Sequence, residues 1–198
     1  MRRRMHCVAP GRARRGPALL LCLACLLLPA PALAECPAHE LRVNGADGRL
    51  LVSLPMPEGA GWCLAWNHSV EGFAVHDCYR NVGGHMVLER SHLPDFAAGL
   101  DHIPGRGRQV SDGQGGYWIE DLDEPVPGDR YRLRVGAMRV DHRLVRYGEP
   151  SLRALLERSR TRGCRIDERL LAEDGPVVIS LSELAANEGV TIGLYTNP

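Results

Sequence analysis

The densest set of chemically capable side chains in this 198-residue chain is His68-Ser69-Val70-Glu71, followed by Asp77. Histidine, serine and a carboxylate are the ingredients of nucleophilic hydrolysis, in which an imidazole takes the hydroxyl proton and an acid orients the imidazole. The spacing argues against that use. Adjacent side chains of an extended segment point to opposite faces, so His68 does not readily reach Ser69. The chain also has no G-x-S-x-G turn to present a serine nucleophile. The favoured reading is non-catalytic: His68, Ser69, Glu71 and Asp77 shape a functional surface, or His68 and Asp77 form a buried polar pair that holds the local hairpin. A small periplasmic hydrolase using Ser69 and His68 is the alternative.

Six of the eight histidines lie between His68 and His142, which raises the question of metal binding, since neutral imidazole is a common ligand. No H-x-H, H-x-x-x-H or H-E-x-x-H spacing occurs, and the cysteines show no zinc-type spacing. A metal-binding periplasmic protein is thus a further alternative, with no metal site assigned, although His76 and His92 can approach another strand. The glycine-rich stretches Pro104–Arg108 and Gly113–Gly116 lack the G-K-[ST] ending of a phosphate loop and the strand–helix setting of a dinucleotide site. They are expected to form an exposed loop. Few aromatic residues lie beside Arg106 and Arg108, so the pattern does not support nucleic-acid binding, and no cofactor is expected.

The elements that must position these residues are mainly strands. Short runs rich in Val, Leu, Trp and Tyr alternate with Gly, Pro and Asp turn signals, which predicts one mostly-β domain, an antiparallel sandwich or a barrel-like fold. Strands are expected near residues 50–54, 61–67, 73–80, 85–91, 117–121, 130–135, 138–146, 177–181 and 190–195. One amphipathic helix is expected, with Ser151 as its N-cap, Leu152, Leu155 and Leu156 on one face, and Gly163 just beyond Arg158, Arg160 and Arg162.

Two hairpins follow from the strand pattern. Centring the first turn between Val70 and Glu71 sets Cys63 opposite Cys78 and makes them a cross-strand disulfide. Cys36 and Cys164 are then left to pair. Trp62, Leu64, Trp66 and His68 share a face with Phe73, Val75, Asp77 and Tyr79, while Cys63, Ala65 and Asn67 share the other with Ala74, His76 and Cys78. The second hairpin is expected to turn at Gly136-Ala137. It would gather Arg130, Arg132, Arg134, Arg139 and Arg143 on one face, either as an anion-facing patch or as a solvated surface near the acidic stretch Glu120–Glu124.

Charge is distributed unevenly along the chain. The 24 Arg, with no Lys, balance 24 Asp plus Glu, yet six of those Arg precede Gly16 and no acid precedes Glu35. Arg2, Arg3, Arg4, Arg12, Arg14 and Arg15 lead into the uncharged run Ala18–Leu28, and Ala32-Leu33-Ala34 supplies a small-x-small cleavage pattern. A membrane span needs about 20 apolar residues, and Pro29 and Pro31 end this run first. Residues 1–34 therefore read as a signal peptide and 35–198 as a single exported domain, periplasmic or secreted, with no membrane span. That domain carries 18 Arg against 24 acids, a net charge of −6, and four cysteines suited to two disulfides.

The stretch Trp62 to Glu71, with Val75, Asp77 and Tyr79 on the next strand, resembles the DUF1850 family of exported bacterial proteins, often encoded beside TAXI-type TRAP transporter components. Asp77 stands where that family usually has Glu, and His92 stands where many members carry Arg. Phe96-Ala97-Ala98-Gly99 is similar to a family Phe-Gly-Ala-Gly pattern, and Val177–Leu181, Leu184 and Val190–Leu194 to its closing strand–turn–strand. The resemblance runs over about residues 41–195, with the helix as an insertion. It implies a link to periplasmic TRAP-type solute uptake but not a biochemical activity, and the expectation is an accessory or binding role with transporter components or a small solute as partner.

Overall fold

A computed structural model describes residues 36, 38–94, 103–146, 150–161, 163–164 and 176–197. The expected signal peptide and the Phe96–Gly99 motif lie outside the described residues. Two antiparallel sheets carry the fold. The smaller has the order β2-β1-β12-β9, formed by β1 (His39–Gly45), β2 (Leu50–Pro55), β9 (Arg130–Arg134) and β12 (Gly189–Thr196). The larger runs β11-β10-β3-β4-β5-β7-β6 and uses β3 (Gly61–Asn67), β4 (Ala74–Val82), β5 (His85–Leu93), β6 (Arg108–Ser111), β7 (Tyr117–Glu120), β10 (Arg143–Arg146) and β11 (Val177–Ser180). The two-residue β8 (Glu124–Pro125) adds to β5. This is the mostly-β, antiparallel, sandwich-like class that the strand pattern predicts.

The core fills the space between the sheets, and alternation explains which residues enter it. Leu41 and Val43 of β1, Val52 and Leu54 of β2, and Val190, Ile192 and Leu194 of β12 meet Trp62, Leu64, Tyr79, Met86 and Leu144 of the larger sheet. Fully burying each such aliphatic side chain contributes about 1.5–3 kcal/mol. The first hairpin has the register expected of it, with Trp62 opposite Tyr79, Cys63 opposite Cys78 and Trp66 opposite Val75. Trp62 stacks on Tyr79 with ring centroids 4.7 Å apart. Cys63, Ala65, Cys78 and Val145 form a separate apolar cluster on the opposite face, called the outer face below.

The second hairpin does not form. β9 pairs with β12 in the smaller sheet, whereas β10 pairs with β3 and β11 in the larger one. The segment 135–142 is a crossover between the sheets, and residues 138–140 form a turn instead of a strand. Its geometry excludes the hairpin: the Gly136 N–H donates to His142 Nδ1 (2.9 Å) and the Val140 N–H to the Ala137 carbonyl (2.8 Å). Gly136 is required there, because a Cβ would lie 2.8 Å from Val140 Cβ. Ser182 fastens the link from the other side, donating from Oγ to the Gly136 carbonyl (2.8 Å) and accepting from the His142 N–H (3.0 Å).

Two further differences are local. The helix α1 spans Pro150–Thr161, so Ser151 lies inside its first turn and is not the cap. Leu152 and Leu156 pack on the core as expected, and the Leu155 side chain lies outside the described residues. A short helix α2 (Leu181–Ala185) follows β11, capped by Ser180 Oγ accepting from the Glu183 N–H. Two disulfides join Cys63 to Cys78 and Cys36 to Cys164.

Ser182→Ala is expected to cost about 1 kcal/mol or somewhat more, since it removes two hydrogen bonds to part-buried backbone groups, and urea unfolding checks it. Replacing Cys63 and Cys78 together by Ser removes a bridge with a sequence separation of 15. The expected loss is about 3 kcal/mol from chain entropy, read as a lower unfolding midpoint under non-reducing conditions.

Candidate functional site

The hairpin disperses the polar cluster of the sequence. His68, Ser69 and Glu71 sit in the β3–β4 turn, where the His68 ring stacks on Phe73 (5.2 Å between centroids) and its Nδ1 accepts from the Glu71 N–H (3.2 Å). The Gly72 N–H closes the turn on the His68 carbonyl at 2.9 Å. Ser69 and Glu71 are exposed, and neighbouring Val70 is 80% exposed. Among the described residues no hydrogen bond joins His68 to Ser69 or to Asp77. The expected His68–Asp77 pair is therefore absent. Nor is His68 placed as a base for Ser69, because its Nδ1 is engaged within the turn.

Asp77 faces the interior from mid-strand, opposite Leu64 on β3 and Ser91 on β5. Ser91 Oγ donates to it at 2.6 Å. Burial raises its carboxyl above the usual carboxylate range, with the Ser91 hydrogen bond and the Arg106 charge opposing that rise. Burial also pushes the Tyr79 and Tyr131 phenols up, and the Asp77 charge adds to both.

The five arginines of the expected patch divide between the sheets. Arg130, Arg132 and Arg134 alternate along the exposed face of β9, and the Arg130 guanidinium lies 3.8 Å from the Tyr195 ring centroid. Arg139 is exposed in the crossover turn. Arg143 belongs to the larger sheet, where it pairs with Asp141 (2.7 Å) and donates to Asn67 Oδ1 (3.1 Å). The glycine-rich stretch is also more ordered than a loop: β6 runs through it, and Arg106 and Arg108 pair with Glu124, Glu120 and Asp121.

A different constellation forms on the outer face of the larger sheet. Register sets His76 opposite His92 and His92 opposite Trp118. The two imidazoles stack at 5.8 Å, the His92 ring lies 4.7 Å from the Trp118 ring, and the Arg90 guanidinium covers the same indole at 4.4 Å. His92 Nε2 meets Asp112 Oδ2 at 2.8 Å, with both side chains under 20% exposed (16% and 13%). Asp112 is held by its own loop, since Oδ1 accepts from the Gln114 N–H (2.7 Å) and the Gly116 N–H (2.9 Å). The Gln114 N–H, then the His92 ring and the Gly116 N–H, hold its carboxyl below the usual range. Gly116 cannot be replaced without displacing this carboxylate, because a Cβ would lie 2.6 Å from Asp112 Oδ2.

With Nε2 directed at the carboxylate, His92 presents Nδ1 as the atom open to a further partner. That Nδ1 is buried and has no hydrogen-bond partner among the described residues, and the same is true of Arg90 Nε. His76 is held neutral: burial, the neighbouring His92 and the Arg143 charge all lower its pKa. Among the described residues no three His, Cys, Asp or Glu side chains converge where a metal would sit. The arrangement suits hydrogen bonding and stacking to a ligand.

Sequence reading noticed His76 and His92 but missed Arg90, Asp112 and Trp118. Arg90 and His92 are two apart on one strand, so their shared face was readable. Their meeting with Trp118 depends on β5 pairing with β7, which no local pattern discloses.

The pH dependence of stability separates these groups. His142, like His76, is lowered by burial. Each therefore contributes stability that is present above the unfolded histidine pKa of about 6.5 and is lost as pH falls through the folded value. Asp77 has the opposite sign, because a raised folded pKa gives stability below about pH 3.9 that is lost as pH rises through the folded value. Asp77→Asn keeps an acceptor for Ser91 and removes the charge. Its stability relative to the parent is expected to rise as pH increases from about 4 and to level off once the folded carboxyl has ionised, measured by urea unfolding across that range. A constant difference would mean that Asp77 is not titrating there.

Neither a curated protein nor a solved structure matches the chain. The family model for a domain of unknown function, DUF1850, matches residues 63–151, a shorter span than the 41–195 suggested by the resemblance. The match begins in β3 and ends at the start of α1, leaving out β1, β2, β11 and β12 while taking in the first hairpin, the His92–Asp112 pair and Trp118. Residues 63–151, a little under half of the chain, are similar to the DUF1850 family.

Proposed function

We propose that the protein is an exported, non-catalytic binding domain whose ligand surface is the outer face of the larger sheet around Trp118. The observation that carries this reading is the pair of buried nitrogens, Arg90 Nε and His92 Nδ1, that lack hydrogen-bond partners on two side chains packed against one indole. Native interiors contain few such atoms, and each costs about 1–3 kcal/mol. A ligand that supplies the missing partners offsets that cost on binding. His92 is already oriented for this by Asp112, and Arg90 by the face of Trp118.

Export is supported by the two disulfides, which persist in oxidising compartments, and by the signal-like pattern of residues 1–34. Among the described residues no helix is long and apolar enough to cross a membrane. A place beside TRAP-type solute uptake follows from the family resemblance alone, and a periplasmic pull-down with transporter components addresses it.

A thermal-shift screen of the purified protein against small organic acids, bases and neutral metabolites tests the binding reading, because a ligand bound by the folded state raises its unfolding temperature. At least one compound is expected to stabilise the protein and change its tryptophan emission. Trp118→Phe and His92→Gln are each expected to weaken that compound by about tenfold, the equivalent of one lost buried partner. A screen without a stabilising compound, or a ligand indifferent to both substitutions, would count against this surface.

A further inference from the structure

We infer that the cleft beside Arg90 takes a small amphipathic carboxylate, which pairs with the guanidinium and lays its apolar part against Leu152 and the Cys63–Cys78 bridge. This rests on the binding-domain reading and adds a ligand class at a cleft that shares Arg90 with the proposed surface, while His92 and Trp118 lie outside its lining. The cleft has a volume of about 470 Å³ and is bounded by the loop from Pro57 to Ala60, the paired strands β3 and β4, Glu89 and Arg90 of β5, and Leu152 of α1. That size suits a small molecule.

The charges lining the cleft are engaged except for one. Glu58 accepts the Gly83 N–H with both carboxylate oxygens at 2.9 Å. Arg80 is paired with Glu89. Elsewhere on the larger sheet and beside it, Arg106, Arg108 and Arg143 meet carboxylates, and Arg146 donates to the Pro55 carbonyl. Arg90 meets neither a carboxylate nor a carbonyl among the described residues, and its Nε is buried without a partner. A planar guanidinium fixed over an aromatic face is pre-organised for two parallel hydrogen bonds to a carboxylate.

A bulge in β5 creates this arrangement. Cys78 faces Arg90, but Tyr79 faces Leu88, so Glu89 is the additional residue. The bulge brings both Glu89 and Arg90 to line the cleft, where strict alternation would send them to opposite faces. Glu89 neutralises Arg80 and leaves Arg90 as the uncompensated charge. The remaining lining near Arg90 is apolar, which gives the ligand's second end its character: Leu152, Ala60 and the disulfide accept a hydrocarbon or aromatic group.

Calorimetric titration of the full protein with phenylacetate and its neutral isostere phenylacetamide tests the assignment. Phenylacetate is expected to bind at least tenfold more tightly than the amide. Arg90→Met is expected to remove that preference, and Arg90→Lys to retain part of it, with circular dichroism confirming that both variants fold. Equal binding of acid and amide, or a preference that survives in Arg90→Met, would overturn the carboxylate assignment. Failure of phenylacetate to bind the parent would overturn it as well. None of these results removes the broader binding reading, which falls only with the metabolite screen.

Discussion

Pairing Cys63 with Cys78 decides which side chains of β3 and β4 meet the smaller sheet. Side chains alternate with a period of two, so a slip of one residue would turn Trp62, Leu64, Val75 and Tyr79 outward and bring Ala65 and His76 into the core. The disulfide excludes that slip covalently, and the Trp62–Tyr79 stack opposes it from the other face. The same register determines the site. It places His76 where β5 can set His92 opposite it, and it puts Cys78 opposite Arg90. Core and site are thus opposite faces of one alignment.

Polar groups inside the sandwich fall into two kinds. Most are satisfied and serve the architecture. Asn81 is 1% exposed, donating to the Met56 carbonyl (2.7 Å) and accepting from the Gly84 N–H (3.0 Å), which holds the loop that walls the cleft. Ser182 locks the crossover, and Arg146 reaches from β10 to the Pro55 carbonyl of β2, linking the two sheets. Arg90 Nε and His92 Nδ1 differ from Asn81 and Ser182 in having no hydrogen-bond partner among the described residues. Asn81 and Ser182 are satisfied, whereas two atoms packed against one indole are not, and the proposed binding surface rests on that contrast.

What could be read from the sequence divides by range. The first hairpin was legible because its signal is local: Trp62, Leu64 and Trp66 alternate, a polar turn follows, and Val75, Asp77 and Tyr79 alternate again. The helix was legible from Leu152 and Leu156. β1 was missed because only Leu41 and Val43 carry its alternation, and β6 because it is a largely exposed strand within a glycine-rich stretch. The supposed second hairpin failed for a physical reason. Tyr131 and Leu133 alternate as a hairpin strand would, but the same pattern suits pairing with β12, and Gly136 serves a crossover as well as a tight turn. Strand partners are set by tertiary packing, and the dispersal of the arginines followed from that choice. The site was hidden for the same reason, since Arg90, Asp112 and Trp118 meet only after β5, β6 and β7 align.

The electrostatics of the outer face reinforce its geometry. Burial, the neighbouring His92 and the Arg143 charge lower the His76 pKa, so it adds a polar surface near pH 7 without adding charge. Arg143 is compensated by Asp141, and Asp112 remains ionised and committed to His92 and its own loop. Among the described residues of this face, Arg90 remains as the cation without a carboxylate, and its contact with the Trp118 ring holds it without neutralising it. The rest of the domain is expected to carry a net negative charge, so a ligand anion gains nothing from the long-range field and must be recognised at close range. A single oriented guanidinium beside an apolar cleft meets that requirement better than a diffuse basic patch, because its two-point hydrogen bonding acts at contact and is screened least where water is excluded.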